Sequence, residues 1–381
     1  MEDKGAASRR ARILWCPTKP FSTDKFTSYL QTSLEARQLT NGGPLQAVLA
    51  ARVQTLIGCQ NRVIPAASGT AALHALCAGW SLKLGRKLSW ATQAFTFPPA
   101  TQGPLSGSLV VDNDESLGGP CIASLSKIAD SIDGVVVTNI FGLQTDVLAY
   151  ESWCTDHGKL LVFDNAATSV GLTHCGRSIH DVGDGAFISL HETKPIGRGE
   201  GGAIFVRPEL VEFVVRAANF GFSPPRIGMP RAGHRGCSNW RMSDVAAAAI
   251  LPHLDSVIET GWVARYEAAV TFASAEAQSY GFSLEPIPGL SLRFPTVLAC
   301  LLVALPISCH GKIDQVIAVL DAHAEAKHYY DPLVEPSKAP VAWQLFNSTI
   351  CLPFHLDLTQ DDVAFMFEKL SRAVGQVADA N

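Results

Sequence analysis

The chain has 381 residues, 47% hydrophobic and 17% charged, a balance that excludes a disordered protein and suits one large packed core with a smaller one beside it. Its formal charge of -5 offers no basic field for a phosphate backbone, which argues against nucleic acid as a partner. Ten cysteines are scattered without a C-x-x-C pair, and the charged opening MEDKGAASRRARILW lacks an apolar stretch long enough for a signal peptide or a membrane span. The expectation is a cytoplasmic protein with reduced thiols and no membrane partner.

In chain order, short apolar runs of strand type occur at Val63 to Ala66, Leu88 to Trp90, Ser108 to Val111, Gly134 to Val137, Leu160 to Phe163, Ala186 to Ser189 and Ala203 to Val206. Thr70 to Leu82, Cys121 to Ile128 and Thr145 to His157 have helical length and spacing between them. This alternation predicts an α/β fold whose parallel or mixed sheet lies between helices and binds its ligand at the carboxyl ends of the strands. From about Asp244 an alanine-rich helical stretch, broken near Pro252, runs to about Ser279. A strand from Val297 to Leu305, a helix from Lys312 to Ala326, a short strand from Ile350 to Leu352 and a helix from Gln360 to Val374 capped by Thr359 then predict a smaller α+β domain. The expected division is an N-terminal segment over 1–35, a large domain over 36–250, and a linking helix with the small C-terminal domain over 251–381.

Three places carry chemistry. Lys194 stands between two apolar strand-like runs and is followed at once by Gly197-Arg-Gly199-Glu-Gly201-Gly202. Such an amine is either a member of a structural ion pair or a Schiff-base former of the kind that pyridoxal phosphate (PLP) requires. The glycine run formally matches G-x-G-x-x-G, but it leads into a strand rather than a helix and has no acidic residue some twenty positions on, so a dinucleotide site is rejected. Asp164 ends the wholly apolar run Leu161-Val-Phe, where it either caps a turn or supplies the anion that keeps a pyridine nitrogen protonated. Ser68-Gly69-Thr70 follows a strand and opens a helix, a pattern that serves either as an ordinary cap or as a phosphate cradle, with Ser189 five residues before the lysine as a further hydroxyl.

Together these residues resemble the DegT/DnrJ/StrS-type sugar aminotransferases, a branch of the fold type I PLP-dependent enzymes. The resemblance runs over almost the whole chain through Leu39-Thr-Asn-Gly-Gly-Pro44, Ser68-Gly-Thr-Ala-Ala-Leu73, Ala94-Phe-Thr-Phe97, Asp164, Ser189 to Lys194, Gly199-Glu-Gly-Gly202, Asn239-Trp-Arg-Met242 and Leu352-Pro353. It implies a large PLP-binding domain with a mainly parallel seven-stranded sheet, Lys194 as the catalytic Schiff-base residue, and Asp164 at the pyridine nitrogen. It also implies Gly69, Thr70 and Ser189 on the phosphate, Phe97 stacked on the ring, and Asn239 reaching the phosphate of a partner subunit in a homodimer with shared sites. The implied reaction moves an amino group from glutamate or glutamine to a keto-sugar, commonly one linked to a nucleoside diphosphate. Relatives with histidine at the lysine position are dehydratases, so Lys194 favours transamination over the alternatives of a PLP-dependent sugar dehydratase or a non-catalytic PLP-fold binding or regulatory protein.

One departure stands out. Three residues after the aspartate the family commonly places glutamine or histidine near the ring hydroxyl, and this chain has Ala167, with Asn165 and Thr168 beside it as substitutes. No metal is expected, because His174, His180 and His191 form no ligand pair and His323 and His328 fall on different faces of the expected helix. Arg198, Arg226, Arg231 and Arg235 are either carboxylate or diphosphate holders or ordinary solvated arginines. Tyr329-Tyr330-Asp-Pro332 resembles a family segment near the substrate entrance.

Overall fold

The computed structural model describes residues 10–16, 18–167, 176–222, 236–284, 300–304 and 312–380. The expectations for Thr168, His174, Arg226, Arg231 and Arg235 lie outside the described residues.

Seven strands, β1 (Arg62–Ala66), β2 (Trp90–Gln93), β3 (Leu109–Val111), β4 (Gly134–Thr138), β5 (Leu160–Asp164), β6 (Gly185–Ser189) and β7 (Gly202–Val206), make one sheet in the order β1-β7-β6-β5-β4-β2-β3. β7 is antiparallel to β1 and β6, and the other pairs are parallel. The central strands are apolar throughout because each buries both faces. Val135 and Val137, Leu161 and Phe163, and Ala186 and Ile188 enter one core, while Val136, Val162 and Phe187 enter the other. On the first side lie α2 (Pro44–Ile57), α4 (Ile122–Ile128), α5 (Val147–Asp156) and α7 (Asp244–Glu259), represented there by Leu45, Leu125, Tyr150 and Leu251. On the second lie α3 (Gly69–Leu84) and α6 (Val211–Ala217), through Leu73, Leu76 and Val214.

The first helix, α1 (Thr23–Glu35), is tied to α2 and α7 by the buried carboxylate of Asp244, which accepts from Ser33 Oγ at 2.6 Å and from the Leu45 amide at 3.0 Å. The long alanine-rich stretch does not break at Pro252. α7 continues through that residue, forgoing one amide bond, and the chain turns at Gly261, whose φ of +61° is left-handed and cheap only for glycine, before α8 (Trp262–Ser279).

The C-terminal part contains α9 (Ile313–Leu320), α10 (Pro340–Ser348), α11 (Gln360–Asp379) and an antiparallel pair of β8 (Cys300–Ala304) with β9 (Thr349–Pro353). Thr359 caps α11 in a reciprocal box with Asp362. α9 stops short of the expected Ala326, so His323 and His328 are not on a helix at all. The His328 ring instead lies flat on Phe346, with centroids 3.7 Å apart. We propose the domain division at 250/251, inside the continuous helix α7 that joins the two parts, since every strand of the large sheet precedes it and the two-stranded sheet follows it. The described cysteines Cys16, Cys59, Cys77, Cys121, Cys154, Cys237 and Cys351 carry no disulfide. Among the described residues no helix is long and apolar enough to cross a membrane.

Candidate active site

The carboxyl ends of β4, β5 and β6 bring Thr138, Asp164, Phe187 and Ser189 to one place by register. Thr138 pairs with Asp164 and Asp164 with Phe187, all on the face that α3 covers, and Ser189 follows two residues later on that face. There the start of α3 closes on them around a cavity of about 430 Å³. Ser68, Gly69, Thr70, Phe97, Asp164, Ser189, His191 and Lys194 all line it. Of the expected site residues, Asn239 alone does not. It is exposed, bridges Asn219 in a short antiparallel contact, and its Oδ1 accepts from Arg241 Nε at 2.9 Å.

The turn into α3 is built for an anion. The Ser68 hydroxyl accepts from the Ala71 amide at 3.1 Å and its carbonyl accepts from the Ala72 amide at 2.9 Å. The Gly69 and Thr70 amides are left in the first turn with no intrahelical acceptor. Gly69 allows close approach, since a Cβ there would stand 3.0 Å from Ser189 Cβ. Gly202 is tighter: a Cβ would lie 2.4 Å from the Ser68 carbonyl oxygen and 3.0 Å from the Gly69 nitrogen, both backbone atoms. Gly202→Ala is therefore expected to push the helix start out of place at about 1–3 kcal/mol. Cofactor affinity should fall by about 10- to 100-fold in equilibrium dialysis. Wild-type affinity in that variant would show that no phosphate binds at this turn.

Asp164 is 5% exposed. Among the described residues, its Oδ1 accepts from the Ala166 amide at 2.9 Å and its Oδ2 receives a long 3.4 Å bond from Thr138 Oγ1. Burial pushes its carboxyl up to about 6, against the Ala166 amide, the Lys194 charge and the Thr138 hydroxyl, which all pull it down. A half-satisfied buried carboxylate facing a cavity fits a protonated ring nitrogen as its missing partner.

Lys194 sits in the connection between β6 and β7, a hairpin closed by bonds from the Leu190 amide to Gly201 and from the Glu192 amide to Gly199, each 2.8 Å. His191 also lines the cavity, with Nδ1 at 2.8 Å from Thr193 Oγ1 and Nε2 at 3.5 Å from Glu200. Arg198 does not face the cavity. Its Nη1 donates to the Lys19 carbonyl at 2.5 Å and its guanidinium lies over Phe21.

At the position of the missing glutamine or histidine, Ala167 is a buried apolar part of the lining. Asn165 does not replace it. That side chain is wholly buried off the cavity and accepts from Asn139 Nδ2 at 2.5 Å. The amide that does line the cavity is Asn139, whose orientation is set by the Thr145 amide and hydroxyl donating to its Oδ1 at 2.8 and 2.9 Å.

Part of the lining is aromatic. Phe97 is 54% exposed, and Trp15, Tyr329, Tyr330 and the buried Phe141 line the cavity with it. Tyr330 stacks on Phe141 with centroids 4.8 Å apart, and Phe141 holds a left-handed φ of 57°, a conformation that costs about 1–3 kcal/mol for a side-chain-bearing residue.

Residues 21–371 match the sequence profile of the DegT/DnrJ/EryC1/StrS aminotransferase family. The chain belongs to that family. The aminotransferase is accordingly PLP-dependent, and the cavity residues fit the cofactor. It is 26% identical to the Rv3402c protein of Mycobacterium tuberculosis (strain ATCC 25618 / H37Rv) over 384 aligned positions, covering 91% of this chain and 86% of that one. It is 23% identical to the dTDP-4-amino-4,6-dideoxy-D-glucose transaminase of Shigella dysenteriae, covering 90% and 94%. In fold it is similar to DesI, a structure determined with its TDP-sugar product, at a TM-score of 0.82 and 23% identity over 99% of this chain and 96% of that one. One of these relatives of the aminotransferase is thus named as a sugar transaminase.

Proposed function

We propose that the protein moves an amino group from glutamate or glutamine to a keto-sugar, specifically a nucleotide-linked keto-deoxysugar, in the cytoplasm and as a homodimer with shared sites. The observation that carries this reading is the meeting of Lys194, Asp164 and the α3 turn in one cavity that aromatic side chains also line. PLP supplies the electron sink that stabilises negative charge at the amine-bearing carbon. Lys194 would hold the cofactor and its Nζ would accept and return the proton moved in the reaction, the Asp164 carboxylate would hold the ring nitrogen's proton, and the Gly69 and Thr70 amides with Ser189 Oγ would bind the phosphate. Phe97 would pack against the ring. Trp15, Tyr329 and Tyr330 offer flat apolar surfaces with polar edges, the kind against which a sugar ring packs. Asn239, turned away from its own cavity, is assigned to the phosphate of the partner subunit.

The test loads the protein with PLP, follows the visible band of the lysine-bound cofactor on addition of glutamate or glutamine, and then offers nucleotide-linked and free keto-sugars. Loss of the band with the donor and its return with a nucleotide-linked keto-sugar is the expected result. A loaded protein that exchanges amine with neither donor is no transaminase of this kind. Band recovery with free keto-sugars alone would remove the nucleotide from the proposal.

A further inference from the structure

The connection that carries Lys194 is held from outside by another lysine. Lys19, in the segment before α1, is 8% exposed, and its Nζ donates to the carbonyls of Glu192, of Lys194 itself at 2.7 Å and of Gly197 at 2.6 Å. An ammonium has three N–H groups, and here three backbone carbonyls use all of them. The Lys194 carbonyl also accepts from the Gly197 amide at 3.0 Å, and His253 Nε2 lies 2.8 Å from the Pro195 carbonyl. In return the Lys19 carbonyl accepts from Arg198, just beyond the clasped turn. Burial lowers the Lys19 amine to about 8, against the raising effect of Glu192.

We infer that Lys19 is a positioning residue for Lys194: its ammonium fixes the 192–197 backbone so that the Lys194 amine is presented to the cofactor's reacting carbon. A lysine side chain is four flexible carbons long, so the direction of its amine depends on how firmly its base is anchored. The three acceptors all belong to the turn around that base, one of them being the carbonyl of the catalytic residue, and Lys19 itself is not among the residues that line the site cavity. Displacement of a reacting group by about 1 Å slows attack by as much as 100-fold. This inference rests on the reading of Lys194 as the residue that carries PLP.

The experiment measures two things on cofactor-free protein: the rate at which the visible band of covalently held PLP appears, and the equilibrium affinity for PLP in the Lys194→Ala background. Lys19→Met should slow covalent capture by roughly 10- to 100-fold. In the Lys194→Ala background it should leave PLP affinity unchanged, because the clasp acts only through the absent amine. Capture at the wild-type rate in Lys19→Met overturns the inference, and so does an equal loss of affinity in the Lys194→Ala background, which would mark Lys19 as a support of the whole site. Should Lys19→Met fail to fold, Lys19→Arg and Lys19→Gln carry the test. Each keeps some of the donors and is expected to capture PLP at an intermediate rate, and a wild-type rate in the folded Gln variant refutes the positioning role. Wild-type protein that never forms the covalent band would instead defeat the functional reading, and this inference with it.

Discussion

Lys194→Ala should lower amine exchange with glutamate by roughly 100- to 10,000-fold, the range removed with a positioned general acid and base. The loss should fall on turnover and on the covalent hold, while non-covalent binding of the cofactor persists. The phosphate turn at Gly69 and Thr70 and the Asp164 carboxylate are positioned by β5, α3 and their neighbours. The fold should also survive, because Lys19 reaches the backbone carbonyl of residue 194, which alanine retains. Stopped-flow exchange beside a thermal melt checks both halves. A variant that keeps its melting temperature and its exchange rate would remove Lys194 from the chemistry.

Asp164→Asn should act in opposite directions on the cofactor-free and loaded protein. Asp164 holds its proton up to about 6 in the fold against an ordinary 3.8. The folded state therefore binds a proton more tightly than the unfolded chain over that window, and cofactor-free protein loses stability as the pH rises from about 4 to about 6, with the full loss present above it. Asparagine removes this burden. At pH 8 the cofactor-free variant should be more stable than wild type by up to about 3 kcal/mol, an order-of-magnitude figure at 1.4 kcal/mol per pKa unit. Once PLP is bound the sign reverses, because a neutral amide does not hold the ring nitrogen's proton, and turnover should fall by about 100- to 1,000-fold. Urea denaturation across pH 4 to 8 is the deciding measurement. A variant no more stable than wild type at pH 8 would show that Asp164 bears no desolvation penalty in the empty site.

The central strands were legible because β4, β5, β6 and β7 are buried on both faces and so read as unbroken apolar runs. β2 was expected at Leu88 to Trp90 and lies at Trp90–Gln93, because its second half is polar yet buried. Gln93 Nε2 donates to the carbonyls of Phe95 and Thr138 while its Oε1 accepts from the Thr138 amide, a network that no local pattern announces. α10 was missed because its last residue, Ser348, passes directly into β9 at Thr349, with no turn residue between them. α2 was legible in principle: Leu45, Leu49, Val53 and Ile57 recur every four residues and all are buried. In the site, Lys194, Asp164 and the Ser68-Gly69-Thr70 turn carried chemical signatures of their own. Asn139, Lys19 and Trp15 did not, since their relevance comes from contacts across the chain.

The stack of Tyr330 on Phe141 joins a wall of the cavity from residues made early to residues made late. The large sheet, the phosphate turn and the hairpin of Lys194 are all complete by Val206, a little over half of the chain. Without Tyr330, Phe141 would hold its left-handed backbone with Phe95 as its ring neighbour but without the stacked one. A chain cut short before Tyr330 would therefore present the catalytic groups in an unfinished vessel.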